Sequence, residues 1–293
     1  MTDLHPHASV PPGPVGHLPA RVPVWRVMQA TIRKDLAIAK RYLPDLLARF
    51  ADLAVRVVFF LLFANVASIN AASSPLGHAI TGRELMIYFQ GALTLFVFNA
   101  IALSAPVNAV NRDLYNGTLE YLYTSPSSRY GYFVGTILAS ALISQVIFLP
   151  VFSVLILYSK TGAIDALLVL GACLAVLATV VALGIMIAIS ALLWRQVASV
   201  ASVVSILFEL LAGAYFPINA LPIQLQYVSL LLPYTWGYDL IRFYSFGRQW
   251  RTIFPVEVEW AALICFALLF LGLSGVLLTA AERRAKRQGL HLI

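Results

Sequence analysis

Apolar residues run through this chain in long stretches broken by short polar segments. Uncharged runs cover 57–82, 85–111, 130–159, 166–194 and 260–281, and a sixth, 196–208, continues past the single acid Glu209 into 210–216. A helix needs roughly 20 apolar residues to cross a hydrocarbon core about 30 Å thick. The pattern therefore predicts an all-α integral membrane protein with six transmembrane helices. Their expected limits are about 50–70, 85–109, 131–157, 166–193, 197–216 and 258–280, with Pro150 placed to kink the third.

The segments outside the spans have different patterns. Residues 1–23 are rich in Pro, Gly and His and predict a disordered tail. It does not read as a signal peptide, because no basic start precedes a short hydrophobic run. In 24–44 the apolar positions Trp25, Met28, Ile32, Leu36, Ala39 and Leu43 recur at helical spacing, and Arg26, Arg33, Lys34, Lys40 and Arg41 avoid that stripe. Such a basic amphipathic helix is expected to lie flat at the headgroups, until Pro44 ends or bends it. The transmembrane domain then fills 45–281, and 282–293 is a basic tail.

Residues 217–256 fit neither pattern. Pro217, Pro222 and Pro233 break any continuous span, yet the stretch is too apolar for a water-exposed loop. Tyr227, Tyr234, Trp236, Tyr238, Tyr244 and Trp250 are ring types that favour membrane interfaces. The expectation is short re-entrant outer helices between spans five and six, over about 217–246. Backbone of that kind persists only where protein or a watery cavity surrounds it.

Composition supports the membrane class: 60% of the 293 residues are hydrophobic and 11% charged, too few charges to cover a soluble domain of this length. The net charge is +7. With the N-terminus inside, the inner segments hold fourteen Lys and Arg and the outer segments five, Arg242 among them. The positive-inside rule then puts both termini in the cytoplasm of a plasma (inner) membrane protein. The basic charge reads as topology and contact with anionic lipid, and nothing resembles a nucleic-acid module.

Candidate chemistry is sparse. Cys173 and Cys265 sit in apolar runs, and the five histidines lack metal-binding spacing. There is no G-x-x-x-x-G-K-S/T loop, Gly-rich dinucleotide loop or nucleophile elbow. No enzyme activity, cofactor or metal is expected on this chain. Polar groups within the spans are few: Gln90, Asn99, Gln145, Glu209 and several serines. Asp52 and Arg56, four apart, can pair on one face at the start of span one. Ser199, Ser202, Ser205, Glu209 and Gly213 form a small polar stripe along span five. That stripe reads either as close helix packing or as the wall of a path in which Glu209 meets cargo.

The segment 111–132, NRDLYNGTLEYLYTSPSSRYGY, is the exception to all this hydrocarbon. It reads as a solvated connector or as a docking lever for a soluble partner. In the second reading Arg112 and Glu120 make charged contacts, and Tyr115, Tyr121 and Tyr123 fill a groove.

Arg112-Asp113, Asn116-Gly117-Thr118-Leu119-Glu120, Leu122, Ser125-Pro126, Arg129 and Gly135 resemble the first cytoplasmic loop of ABC-2-type exporter permeases. A second block, Phe216-Pro217-Ile218, Leu221-Pro222, Leu225-Gln226, Ser229, Leu232-Pro233, Thr235 and Arg242, resembles the family's motif after the fifth span. Asp113 stands where the family more often has Glu, which keeps the charge. The resemblance covers roughly 24–285. It implies that about 111–124 is a coupling helix, with Arg112, Asp113, Tyr115, Gly117, Glu120, Leu122 and Pro126 seated on an ATPase subunit. It also implies that Pro217, Pro222, Pro233 and Arg242 belong to outer helices capping the exit. Spans two and five border the central space in similar exporters. That makes Gln90, Asn99, Ser202, Ser205 and Glu209 the candidate path.

The implied protein is a permease subunit paired with a second permease chain, identical or related. Two separate ATP-binding subunits carry ATP and Mg. The cargo would be amphipathic and drug-like, a lipid or a glycan. The competing expectation is a secondary transporter or channel with no ATPase partner, although the two halves of the chain show no internal similarity of the inverted-repeat kind.

Overall fold

A computed structural model describes residues 22–97, 117, 128–159, 161–193 and 197–288. Helix α1 (Val24–Arg41) stops at Tyr42, whose amide donates to Ile38 O at 3.0 Å, and α2 (Leu43–Val66) begins at once. Pro44 sits in the first turn of α2, where a missing N–H removes no helical bond. The proline opens a helix here. A short hairpin follows, β1 (Ser68–Ile69) antiparallel to β2 (Ile80–Thr81) with Ile69 opposite Ile80. Next come helix α3 (82–97), α4 (Arg129–Tyr158), which runs through Pro150, α5 (Ala163–Leu193) and α6 (Val197–Leu211). Two short helices, α7 (Ile223–Leu230) and α8 (Pro233–Ser245), precede the long α9 (Val256–Gln288).

Among the described residues, three helices are long and apolar enough to cross a membrane: Val134–Tyr158, Ala163–Ile187 and Val256–Leu277. These correspond to spans three, four and six of the six expected. Helix α2 is long enough, but Arg49, Asp52 and Arg56 leave only 57–66 as an uncharged stretch. Arg56 and Asp52 form the expected i,i+4 pair at 3.0 Å, and the guanidinium lies 4.1 Å over the Phe96 ring. That stacking lays the charge against an apolar surface. Only 82–97 of span two lies within the described residues. Span five is shorter than expected: α6 ends at Leu211 because Gly213 adopts φ +87°, a left-handed conformation natural to glycine. Gly213 therefore does not extend the helical stripe of Ser199, Ser202, Ser205 and Glu209.

The core is built around α5. Its Ala172, Cys173, Val176 and Val180 are fully buried, with α9 on one side and α8 on another. Helix α8 is buried along nearly its whole length, including Tyr234, Trp236, Tyr238 and Tyr244. Apart from Tyr227, the rings of 217–256 expected at an interface are placed against protein. Most of them are core, and Trp250 joins them, whereas Tyr227 on α7 is 65% exposed. The reason is packing. Gly237 lets α8 approach so closely that a Cβ there would land on Val176 Cγ2 and lie 3.2 Å from Leu95 Cδ1. Gly237→Ala is expected to destabilise the protein by about 1–2 kcal/mol through overpacking. Val176→Ala in the same chain should recover part of that loss, as read by unfolding in mixed micelles.

Helix α1 does not stand alone on the surface. It packs along the first turns of α4, where Gly131 and Gly135 form a small-xxx-small pair. Thr31 and Asp35 are the buried positions of α1, and Lys34 lies 5.0 Å over the Tyr132 ring. Trp25, at the head of the expected apolar stripe, is 61% exposed. The protein-facing side of α1 is therefore rotated from the stripe toward its small and polar positions.

Candidate functional site

The best-organised polar site lies where α6 ends. The last carbonyls of a helix have no partner within it and need donors from elsewhere. After Leu211 the chain turns through Gly213, and the Ala214 amide reaches back to Glu209 O at 3.2 Å. Later segments take up the freed carbonyls. Ser229 Oγ on α7 donates to Leu211 O at 2.6 Å. Tyr88 Oη on α3 donates to Gly213 O at 3.0 Å. Arg242 Nη2 on α8 donates to Gly213 O at 2.7 Å and Ala214 O at 3.2 Å.

Helix α7 ends the same way. Thr235 Oγ1 donates to Ser229 O at 2.6 Å, and Trp236 Nε1 to Leu230 O at 3.0 Å. Pro222 precedes α7, and Pro233 is the first residue of α8. Each proline starts a helix whose side chains cap the end of the helix before it.

Arg242 is the centre of this arrangement. It is 4% exposed, and its guanidinium carbon lies 3.6 Å from the Tyr88 ring centroid, 5.5 Å from Tyr238 and 5.7 Å from Trp250. Carbonyl dipoles and ring faces take the place of water around the charge. These contacts hold α8 against α3 and against the turn that ends α6.

Asp239, one turn earlier, folds the following loop back onto α8. Its Oδ1 accepts from Trp250 Nε1 at 2.6 Å and its Oδ2 from the Ile253 amide at 2.8 Å. Trp250 stacks on Phe246 at 5.4 Å, and the fully buried Glu259 accepts from the Phe254 amide at 3.2 Å. At the rim, Arg248 binds Asp165 at 2.7 Å, and that carboxylate raises the pKa of the exposed guanidinium. Arg83 donates twice to Tyr158 O, at 2.9 and 3.1 Å, closing the end of α4.

Beside this joint is a cavity of about 510 Å³. Its walls come from the 72–77 turn, Pro217–Asn219, the Asp239 and Arg242 face of α8, and 250–253. Pro217 and Arg242 are thus brought to one cavity.

The other sequence-predicted residues are placed as follows. Gln90 is buried on α3 and donates to Val151 O of α4 at 3.0 Å. Glu209 is buried on α6 and accepts from Tyr215 Oη at 3.4 Å, and Ser205 is half-buried. Gln90 and Glu209 therefore engage different neighbours. Gly117 is an exposed turn residue at φ +64°, a conformation that favours glycine. Arg112, Asp113, Tyr115, Glu120, Leu122, Pro126, Asn99 and the side chain of Ser202 lie outside the described residues.

Sequence reasoning missed Tyr88, Asp239 and the Gly131–Gly135 pair. Gly131-Tyr132-Phe133-Val134-Gly135 was a usable signal for close helix approach. Asp239, Arg242 and Tyr238 share a face of one short helix, which was a usable signal for a buried polar joint.

The family model described as ABC-2 type transporter matches residues 27–246, from α1 through α8. No curated protein matches the chain.

Proposed function

The chain belongs to the ABC-2 type transporter family, and from this premise we propose that it is the transmembrane permease subunit of an ATP-driven exporter. As a member it is a membrane-embedded transport component, not itself catalytic, and such components work with an ATP-binding partner in general. The proposal is that a separate subunit, in two copies, docks on the segment 111–124. Arg112, Asp113, Tyr115, Gly117, Glu120, Leu122 and Pro126 would form that contact. A second permease chain, identical or related, completes the passage. Both termini lie in the cytoplasm of the inner membrane. ATP and Mg belong to the partner.

The family match across the segment between α3 and α4 is the observation that carries this reading. Physical chemistry supports it from the other side. The sequence has no phosphate-binding loop, so any uphill transport needs outside energy. Pro217, Pro222, Pro233 and Arg242 would hold the outer end closed as re-entrant helices over the path that Gln90, Asn99, Ser202, Ser205 and Glu209 line. A passage with so few charges suits an amphipathic drug-like, lipid or glycan cargo.

The test is copurification. Co-expressed with its ATPase in mild detergent, the wild-type chain should retain that subunit. Glu120→Arg should weaken retention at least tenfold, about 1.4 kcal/mol for a reversed interfacial charge. Full retention by the mutant would overturn the docking assignment. Uphill transport of solute by the chain alone in liposomes would favour a secondary transporter.

A further inference from the structure

The cavity beside α8 has the wrong charge balance to be only a packing defect. Among its lining residues are two guanidinium groups and one carboxylate. The carboxylate, Asp239, already accepts one hydrogen bond on each oxygen, from Trp250 and from the Ile253 amide. The guanidinium groups are less satisfied. Arg242 uses Nη2 for both of its carbonyl bonds, and among the described residues its buried Nε has no acceptor. Arg251 is exposed, and among the described residues its side chain has no hydrogen bond or ion pair. Donors exceed acceptors, and Asn219 and Thr252 add amide and hydroxyl groups to the same wall.

The volume also fits a ligand. At about 510 Å³ the cavity falls within the range of roughly 300–1,000 Å³ typical of small-molecule sites. Its deep wall is a buried cation held in place by two backbone carbonyls and a tyrosine ring, so the positive charge is fixed before anything binds. Its rim is a second cation, the exposed Arg251. A buried guanidinium and an exposed one lining the same cavity suit the several lone pairs of a tetrahedral or planar oxyanion.

We propose that this cavity is a binding site for an oxyanion, with Arg242 as the preformed deep contact and Arg251 as the rim contact. The ligand is the phosphate or carboxylate of a small polar solute, or the phosphate of a lipid headgroup that reaches the same end of the bundle. The site stands on the cavity alone and does not depend on the ATPase reading.

The test uses the full chain purified in phosphate-free detergent solution, titrated calorimetrically at constant ionic strength. Inorganic phosphate is one arm, and short-chain phosphatidic acid below its micelle concentration is the other. Chloride sets the background. Saturable binding of inorganic phosphate, weakened at least tenfold by Arg251→Gln, supports a solute site. Saturable binding of the lipid alone, with the same loss in Arg251→Gln, supports a headgroup site. Arg248→Gln removes an exposed charge from Asp165 and not from the cavity wall, so it should bind like wild type. The inference is overturned if neither probe saturates, or if Arg251→Gln and Arg248→Gln bind alike.

Discussion

Arg242→Met is expected to lower the stability of the folded chain by about 3–5 kcal/mol, from two charge-assisted hydrogen bonds worth roughly 1.5–3 kcal/mol each. Methionine keeps most of the volume and the apolar stem, so the loss reports on the guanidinium. The bonds removed are those to Gly213 O and Ala214 O, at 2.7 and 3.2 Å. Gly213 O would keep Tyr88 Oη at 3.0 Å, whereas Ala214 O has no other donor among the described side chains. A buried carbonyl without a donor accounts for much of the expected loss. The stacking of the cation on the Tyr88 ring at 3.6 Å disappears as well.

Three comparisons make the cause identifiable. Tyr88→Phe removes one neutral hydrogen bond to the same carbonyl and is expected to cost about 1 kcal/mol. The double variant Tyr88→Phe/Arg242→Met should depart from the sum of the two single effects, because both side chains serve Gly213 O and touch each other. Arg242→Lys keeps a charge but not the fork that spans two carbonyls, so it should fall between wild type and Arg242→Met. Equilibrium unfolding in mixed micelles reads the four variants against wild type. A wild-type-like Arg242→Met would remove Arg242 from the centre of the joint.

The joint was half legible before the fold was known. The prolines at 217, 222 and 233 marked the end of a span and the start of short helices, because a missing N–H is informative at every position. That α8 would be buried was not legible. A Tyr- and Trp-rich segment has the same composition whether its rings face headgroups or pack on a neighbour. Gly237 against Val176 decides the matter, and that contact joins residues far apart in the chain. Gly213 was misplaced for a related reason. A glycine four residues after Glu209 continues a small stripe and stops a helix equally well, and only its φ of +87° separates the two. The apolar runs of spans three, four and six were legible because membrane thickness alone sets their length. The path residues were the least legible, since Gln90 in a span is drawn equally by cargo and by a neighbouring carbonyl such as Val151 O.

Gly135→Val is expected to separate α1 from α4. A Cβ at 135 would lie 2.8 Å from Thr31 Cβ and 2.9 Å from Met28 O, and at Gly131 it would lie 2.7 Å from Val24 O. Backbone oxygens cannot rotate away as a side-chain tip can, so the whole of α1 must shift or detach. Overpacking of this kind costs about 3 kcal/mol at the upper end of its usual range. The observable is the exposure of Thr31, now 6%. In a background with Cys265 replaced by Ser, a Thr31→Cys variant should react slowly with a water-soluble maleimide. Adding Gly135→Val should raise that rate more than tenfold, while Gly272→Val, on α9 where a Cβ meets nothing within 4 Å, should not. This seam begins where α4 emerges from the segment proposed to dock the ATPase, with Ser128 Oγ capping the Gly131 amide at 3.2 Å. A displaced α1 should therefore also reduce cargo-stimulated ATP hydrolysis in the assembled transporter. Slow maleimide labelling of Thr31→Cys in the Gly135→Val chain would show that α1 holds to α4 by something other than the glycine contact.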